Sequence, residues 1–113
     1  MFNKKTWLQG EVAAVKFLKE AGLKILETNF KTKLGEIDVI AKDKDYYVFV
    51  EVKARNSLKF GTPAEAVNPY KQNKIRQVAA SYLISLANYP ALMRFDVIEV
   101  LEGRVSAHIK NAF

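Results

Sequence analysis

The sequence predicts an α/β sandwich in which helices flank a central mixed β-sheet. Three observations support this fold class: two long segments have helical spacing of apolar residues, three strand-like segments lie between them, and two more strands follow the second helix. Interleaved helices and strands are typical of layered α/β domains. The 113 residues suffice for one ordinary core, so a single domain over residues 1–113 is expected.

The first predicted element is a helix followed by a strand. Helical spacing runs from about Thr6 to Ala21, and Gly22 is a suitable stop. Residues 23–30 are predicted to form a strand. The apolar stripe expected to face the core is Leu8, Val12, Val15 and Leu18, with Trp7, Ala14 and Ala21 on its flank.

The next two elements form a hairpin, with strands expected at about 35–42 and 46–54. Side chains alternate between the faces of a strand, and burial of the apolar set fixes the register. The expected pairs are Ile37 with Val52, Val39 with Val50, and Ala41 with Val48. The same register places Asp38 opposite Glu51, with Lys53 on the same face.

The second half starts with a predicted loop, Asn56 to Gly61, and a short helix that begins at Thr62-Pro63-Ala64-Glu65. Asn68-Pro69 repeats the start signal and opens a longer helix to about Ala87. Its expected buried stripe is Ile75, Val78, Ala79, Tyr82 and Leu86. A strand from Met93 to Leu101, a turn at Glu102-Gly103 and a last strand through Ile109 complete the prediction.

Composition excludes several kinds of site. The chain has no cysteine, which rules out disulfides, thiolate zinc sites and a cysteine nucleophile. The single histidine, His108, is expected to be an ordinary histidine on an edge strand. No secretion signal or membrane-spanning run is apparent, so a cytoplasmic protein is expected. The net charge of +6 points to an acidic partner such as nucleic acid.

Charged residues converge on one face of the hairpin. Two carboxylates, Asp38 and Glu51, and the ammonium of Lys53 are the groups needed to hold a divalent metal ion against a phosphodiester. The alternative is a solvent-exposed face with a modest cross-strand ion pair. Phe49 and Ile40 on the same face favour a cleft, which we expect the first helix to cover.

Glu11 is a third candidate because it falls near the middle of the apolar stripe of the first helix. An inward carboxylate is costly unless something compensates it. It either reaches the face that carries Asp38 and Glu51, or it is a structural glutamate satisfied by a buried lysine or by backbone groups. Arg94 and Asp96, which share one face of a later strand, are expected to form a structural ion pair.

At these residues the chain resembles a known family. GEIDVIA followed by FVEVKAR, with Gly10-Glu11, GTPAEAV, RFDVIEV and the terminal HIKNAF, resembles the YraN-like family of small bacterial proteins over nearly the whole chain. That family is predicted to have the restriction-endonuclease fold and the PD-(D/E)xK nuclease motif. The chain also resembles archaeal Holliday junction resolvases, which carry a glutamate on the first helix. The resemblance implies a restriction-endonuclease-like α/β sandwich and a catalytic set of Glu11, Asp38, Glu51 and Lys53.

The function expected from the site and the resemblance is a metal-dependent endonuclease acting on DNA, including branched or junction DNA. Asp38, Glu51, the carbonyl of Val52 and Glu11 would bind Mg²⁺ or Mn²⁺, and a homodimer would supply two sites for two strands. Basic and polar residues around the site would bind nucleic acid: Lys31, Lys33, Arg55, Lys59, Lys71, Gln72, Lys74 and Arg76. The alternatives are a catalytically silent nucleic-acid-binding module, a protein-interaction domain, and a metal-dependent phosphatase or small-nucleotide hydrolase.

Overall fold

The computed structural model describes residues 4–55 and 67–113, with the side chains of the first helix described from residue 9 onward. The elements in chain order are α1 (Lys4–Glu20), β1 (Lys24–Thr32), β2 (Gly35–Asp43), β3 (Tyr46–Arg55), α2 (Pro69–Ser85), β4 (Met93–Leu101) and β5 (Arg104–Ile109). This is the predicted order. The loop at Asn56, the short helix at Thr62 and the binding residue Lys59 lie outside the described residues.

The five strands form one mixed sheet in the order β1-β2-β3-β4-β5. Neighbouring strands are antiparallel except for β3 and β4, which are parallel. A parallel pair needs a crossover between its strands, and helix α2 lies in that connection. The prediction of a mixed sheet flanked by helices is therefore confirmed.

The alternation of side chains on β3 divides the core between the two helices. Val48, Val50 and Val52 pack in one cluster with Ala14 and Leu18 of α1. On the opposite face, Phe49 and Ile40 pack with Ile75, Val78, Ala79, Tyr82 and Leu83 of α2. The helix on the Asp38–Glu51 face is thus α2 and not α1, which corrects our expectation that the first helix covers that face.

Helix α1 turns a different side to the sheet from the one expected. Glu11, Ala14 and Leu18 are buried, whereas Val12 is 67 % exposed. The reason is a close approach at Gly10, where an added Cβ would lie only 2.6 Å from the Cβ of Ala54 on β3. Because small residues allow the closest contact with the sheet, they face it, and the predicted stripe was wrong at Val12.

Helix α2 begins as the sequence predicts and ends slightly earlier. Asn68 is the N-cap, its side-chain oxygen accepts a hydrogen bond from the backbone N–H of Lys71 at 2.9 Å, and Pro69 follows it. The helix ends at Ser85, so Leu86 is past the last helical residue and is 47 % exposed. Leu83 is buried in its place, which corrects the predicted stripe at one position.

The hairpin has the predicted register over its length nearest the turn. Val39 pairs with Val50 and Ala41 with Val48, as expected. The β2–β3 ladder ends at the pair Val39–Val50. Ile37 lies in the core cluster on the α2 face, together with Phe30. The predicted placement of Ile37 beside Val52 was therefore wrong, because β2 pairs with β3 only from Val39 to Asp43 and the strands are separate before Val39.

Candidate active site

The end of the β2–β3 ladder creates the candidate site. At this point Oδ2 of Asp38 accepts a hydrogen bond of 2.8 Å from the backbone N–H of Val52. The carboxylate thus takes the place of a strand carbonyl and satisfies a buried donor that the ladder leaves free. This contact ties the Asp38 side chain to β3, directly beside Glu51.

Asp38 and Glu51 form a buried carboxyl pair with opposite pKa shifts. Both are buried, at 4 % and 7 % exposure. Burial, together with a hydrogen bond to Glu51 and the charge of that residue, raises the pKa of Asp38 to about 9. Burial opposes ionisation of Glu51 as well, but hydrogen bonds from Asp38 and Lys71 outweigh it and lower the pKa of Glu51. At neutral pH the pair therefore consists of a protonated Asp38 and an ionised Glu51.

Lys71 supplies the countercharge. Its Nζ lies 2.9 Å from Oε2 of Glu51. Burial would lower the pKa of Lys71, but the hydrogen bond and the charge of Glu51 raise it, so the ammonium form is held. The sequence predicted Lys71 as a phosphate contact and missed that it reaches a carboxylate of the site, because that contact depends on where α2 begins.

Lys53 occupies the same cleft, as predicted. Burial and the neighbouring ammonium of Lys71 lower the pKa of Lys53, while Glu51 and Asp38 raise it less. A lysine with a lowered pKa, next to two carboxyls in a cleft, is the kind of perturbed group that occurs at functional sites. Asp38, Glu51 and Lys53 therefore line one cleft, as predicted. The predicted pairing of Asp38 opposite Glu51 is not part of the ladder, which ends at Val39 and Val50; the Asp38 side chain reaches β3 through the N–H of Val52 instead.

Glu11 approaches from the other side of the sheet. Its Oε1 accepts a hydrogen bond of 2.7 Å from Nδ2 of Asn29, and Asn29 lines the cleft. Its Oε2 is buried without a hydrogen-bond partner among the described residues. Glu11 is not among the residues that line the cleft, and no three Asp, Glu, His or Cys side chains form a metal-binding group within residues 4–55 and 67–113.

Sequence reasoning missed Asn29. This residue has a φ of 51° in the middle of β1, a backbone conformation that asparagine adopts more readily than most residues. An asparagine between Thr28 and Phe30, in an otherwise ordinary strand, was the available signal. The positive φ turns its side chain to Glu11 and so links helix α1 to the cleft.

The cleft has a volume of about 750 Å³ and opens to solvent. Around the carboxyl pair it is lined by residues of β1, the β1–β2 turn, β2, β3 and the first two turns of α2: Asn29, Lys31, Leu34, Gly35, Glu36, Val52, Lys53, Ala54, Tyr70, Lys71, Lys74 and Ile75. Of the predicted nucleic-acid-binding residues, Lys31, Lys71 and Lys74 line it. Val52 also lines it, and a role for its carbonyl stays a prediction.

The other predicted binding residues have different surroundings. Arg55 forms an ion pair with the buried Glu99, and Gln72 donates to the carbonyl of Val67 at 2.9 Å. The guanidinium of Arg76 lies over the rings of Phe95 and Phe113, at 5.5 and 5.3 Å. Lys33 is exposed in the turn between β1 and β2. The structure does not bring Arg55, Gln72 or Arg76 into the cleft.

Arg94, Asp96 and His108 lie where the sequence predicted them. Nε of Arg94 lies 3.1 Å from Oδ1 of the buried Asp96, which confirms the structural ion pair. Asp96 also contacts Nε2 of His108 at 2.8 Å and accepts from the backbone N–H of Asn111 at 3.2 Å. His108 is on the edge strand β5, as expected. No helix within the described ranges is long and apolar enough to cross a membrane.

Comparison with known proteins places the chain in a family. The profile described as uncharacterised protein family UPF0102 matches residues 10–100. The chain belongs to the UPF0102 family. It is 51 % identical to a UPF0102 protein of Acetivibrio thermocellus, with 92 % of this chain and 87 % of the relative covered. A Clostridium botulinum relative is 48 % identical, over 98 % and 95 %. A Clostridioides difficile relative is 51 % identical over the full length of both chains.

Membership in UPF0102 agrees with the YraN-like resemblance of the sequence motifs. The matched residues include the helix at Gly10, both hairpin strands, α2 and nearly all of β4. The three relatives are named only as UPF0102 proteins. The chemistry of the cleft therefore has to be inferred from its geometry.

Proposed function

We propose that this protein is a metal-dependent endonuclease that hydrolyses phosphodiester bonds in DNA. The observation that carries the proposal is the buried Asp38–Glu51 pair at the point where β2 and β3 separate, with Lys53 beside it in an open cleft. A D…ExK set on two such strands of a mixed sheet is the arrangement expected of the restriction-endonuclease-like fold and of the PD-(D/E)xK motif.

The carboxyl pair fits a divalent cation of the Mg²⁺ type. Two adjacent buried carboxyls are costly to ionise together, and a bound divalent cation would relieve that cost by replacing the proton on Asp38. Mg²⁺ is commonly held by one or two carboxylates, with water and substrate phosphate completing its shell. Asp38 and Glu51 would hold the ion, which when bound supplies an activated water and stabilises charge on the phosphate.

The lysines would act on the substrate. Lys53 would orient the attacking water or stabilise the negative charge that develops on the scissile phosphate. Cation binding at Glu51 competes with the ammonium of Lys71, which would then be available to contact a phosphate. Glu11, through Asn29, would act as a positioning residue at the edge of the cleft rather than as a direct ligand of the ion held by Asp38 and Glu51.

The competing function is a nucleic-acid-binding module without catalysis. It is favoured by one observation: Lys71 already neutralises Glu51, and no third carboxylate joins the pair among the described residues. Such a protein would bind nucleic acid through the same lysines and would leave it intact with any metal.

The deciding experiment is cleavage of labelled linear, single-stranded, flapped and four-way junction DNA with Mg²⁺, Mn²⁺ or EDTA. We expect cleavage only with metal, and its loss in Asp38→Asn. Asparagine is the appropriate replacement, because its amide keeps the acceptor for Val52 N–H and a donor for Glu51. Asp45→Asn, an exposed acid in the β2–β3 turn, is the matched control and should cut normally. Binding of the substrates by the wild type, with every substrate left intact in Mg²⁺, Mn²⁺ and EDTA, would favour the silent module.

A further inference from the structure

One wall of the cleft carries an exposed aromatic side chain. Tyr70 is the second residue of α2, lies directly before Lys71, and is 73 % exposed. Exposed apolar residues that occur singly are common and need no explanation. Tyr70 differs in its position, because it lines the same cleft as Asp38, Glu51 and Lys53.

The neighbourhood of Tyr70 is also distinctive. Nζ of Lys74 lies 5.6 Å from the centre of the Tyr70 ring, so a cation flanks the aromatic surface. Leu34, which is 43 % exposed, lines the cleft from the β1–β2 turn. The cleft therefore exposes apolar surface from two elements, next to the ammonium groups of Lys31, Lys71 and Lys74.

Gly35 lies where the two walls of the cleft are in contact. Its φ is 152°, and a Cβ built on it would lie 3.5 Å from Cγ2 of Val78 and 3.9 Å from Cβ of Lys74. The β1–β2 turn therefore packs directly against helix α2. This contact holds Leu34 near the first turns of α2, where Tyr70 and Lys74 are located.

We propose that Tyr70 is a stacking platform for an unpaired base, so that the cleft takes a single strand of nucleic acid or an unpaired segment of a branched one. This inference rests on the proposed function, since it names the substrate class of the same site. In a duplex each base is already stacked on both faces, whereas an unpaired base offers a free face to an aromatic ring. The lysines of the cleft would contact the backbone phosphates on either side of the stacked base.

The charge of the cleft fits this occupant better than an apolar peptide. Four lysines line it, namely Lys31, Lys53, Lys71 and Lys74, against the carboxyls of Glu36, Asp38 and Glu51. The four lysines outnumber the three carboxyl groups, so the lining of the cleft has an excess of basic side chains. A polyanion with flat apolar bases matches both the excess positive charge and the exposed ring.

The test is direct binding, measured by fluorescence anisotropy with Ca²⁺ in place of the catalytic metal, on a labelled oligothymidylate and on a duplex of the same length. Base stacking is worth about 1–3 kcal/mol, so Tyr70→Ala should weaken single-strand binding by about 5- to 150-fold. Tyr70→Phe should retain most of the affinity, because the ring is kept. Tyr89→Ala, which removes an exposed tyrosine outside the cleft lining, should bind as the wild type does.

An abasic oligonucleotide separates stacking from charge, because it keeps the phosphates and removes the bases. Wild-type protein should bind it about as weakly as Tyr70→Ala binds oligothymidylate, and Tyr70→Ala should bind both oligonucleotides alike. The proposal that Tyr70 stacks on an unpaired base would be overturned by any of three results. These are equal wild-type affinity for single strand and duplex, equal affinity for abasic and intact strands, and no binding at all.

The outcomes also distinguish this inference from the nuclease proposal. A wild type that cuts nothing in the metal panel but prefers single strands through Tyr70 would remove the nuclease and leave the platform. A protein that cuts DNA through Asp38, and whose Tyr70→Ala variant binds and cuts every substrate as the wild type does, would remove the platform alone.

Discussion

At the scale of single residues, Asp38 has a structural role at the end of a strand pair and a proposed chemical role in the cleft. It completes the end of the β2–β3 ladder through Val52 N–H, and its burial beside Glu51 raises its pKa to about 9. A buried carboxyl with a raised pKa makes stability depend on pH. The folded protein keeps this proton up to about pH 9, whereas the unfolded chain loses it near pH 4.

The first prediction follows from that difference. Between about pH 4 and pH 9 the folded state binds more protons at Asp38 than the unfolded state, so this group's contribution to stability falls as pH rises. Asp38→Asn removes the titrating group and should become more stable relative to the wild type on going from pH 5 to pH 8. The relative slope is at most about 1.4 kcal/mol per pH unit, the value for one whole proton.

Urea unfolding of both proteins in EDTA across that range measures the slope. Below pH 5 the lowered pKa of Glu51 acts in the opposite direction, so the comparison is restricted to higher pH. Glu51 is present in both proteins, and its contribution largely cancels. Parallel stability curves would show that Asp38 is ionised in the folded metal-free protein.

Glu11 supports a second prediction at this scale. If a buried cation paired with it, Glu11→Gln would strand that cation and cost about 3 kcal/mol or more. The partner in the structure is the neutral amide of Asn29, and glutamine can accept the same hydrogen bond. We therefore expect the free energy of unfolding in EDTA to change by less than about 1 kcal/mol, as measured by urea denaturation. A loss several times larger would identify Glu11 as half of a buried ion pair.

At the scale of elements, the close contact between α1 and β3 determines which residues face the sheet. Apolar spacing predicted the existence and approximate limits of α1, but not its rotation, because the stripe containing Val12 and the stripe containing Ala14 differ mainly in side-chain size. Size matters here because Gly10 meets Ala54 with no room for a methyl group. The strands and α2 were easier to predict, since proline, asparagine and glycine mark their ends.

The same reasoning explains what could be predicted of the site. Asp38, Glu51 and Lys53 lie on one hairpin, so local strand patterns predicted their proximity, although the ladder ends at Val39 and the contact of Asp38 with β3 is made by its side chain. The contributions of Lys71 and Asn29 depend on contacts between elements distant in sequence. Those contacts require the helix start at Asn68 and the positive φ at position 29, and local patterns carry little information about them.

The element-scale prediction concerns Gly10. Gly10→Ala should destabilise the protein by about 1–3 kcal/mol, the usual cost of overpacking a close contact, even though alanine is the better helix former. Ala54→Gly removes the facing methyl group, so the double variant should recover part of the loss. A double-mutant cycle by thermal or urea unfolding measures the coupling. Gly10→Ala with unchanged or higher stability would contradict the close approach of α1.

At the scale of the whole molecule, the two faces of the sheet carry different features. Helix α1 and the valines of β3 form a core on one face, while the other face carries the α2 core, the carboxyl pair and the lysines at the start of α2. The net charge of +6 is a property of the whole chain. The proposed nucleic-acid contacts, however, use only the lysines that line the cleft.

The last prediction uses the salt dependence of binding to test whether only the lysines of the cleft contact nucleic acid. Each phosphate contact releases counterions, so the logarithm of single-strand affinity should fall with the logarithm of salt concentration by about 0.7 per contact. Lys31→Ala and Lys74→Ala should each reduce this slope by about that amount, because both lysines line the cleft. Lys16→Ala removes the same charge from the exposed side of α1, on the opposite face of the sheet. If the whole-molecule charge drove binding, all three variants would weaken it alike. If the cleft drives it, Lys16→Ala keeps the wild-type slope while the other two lose one contact each, and anisotropy titrations over a range of salt concentrations distinguish the two cases.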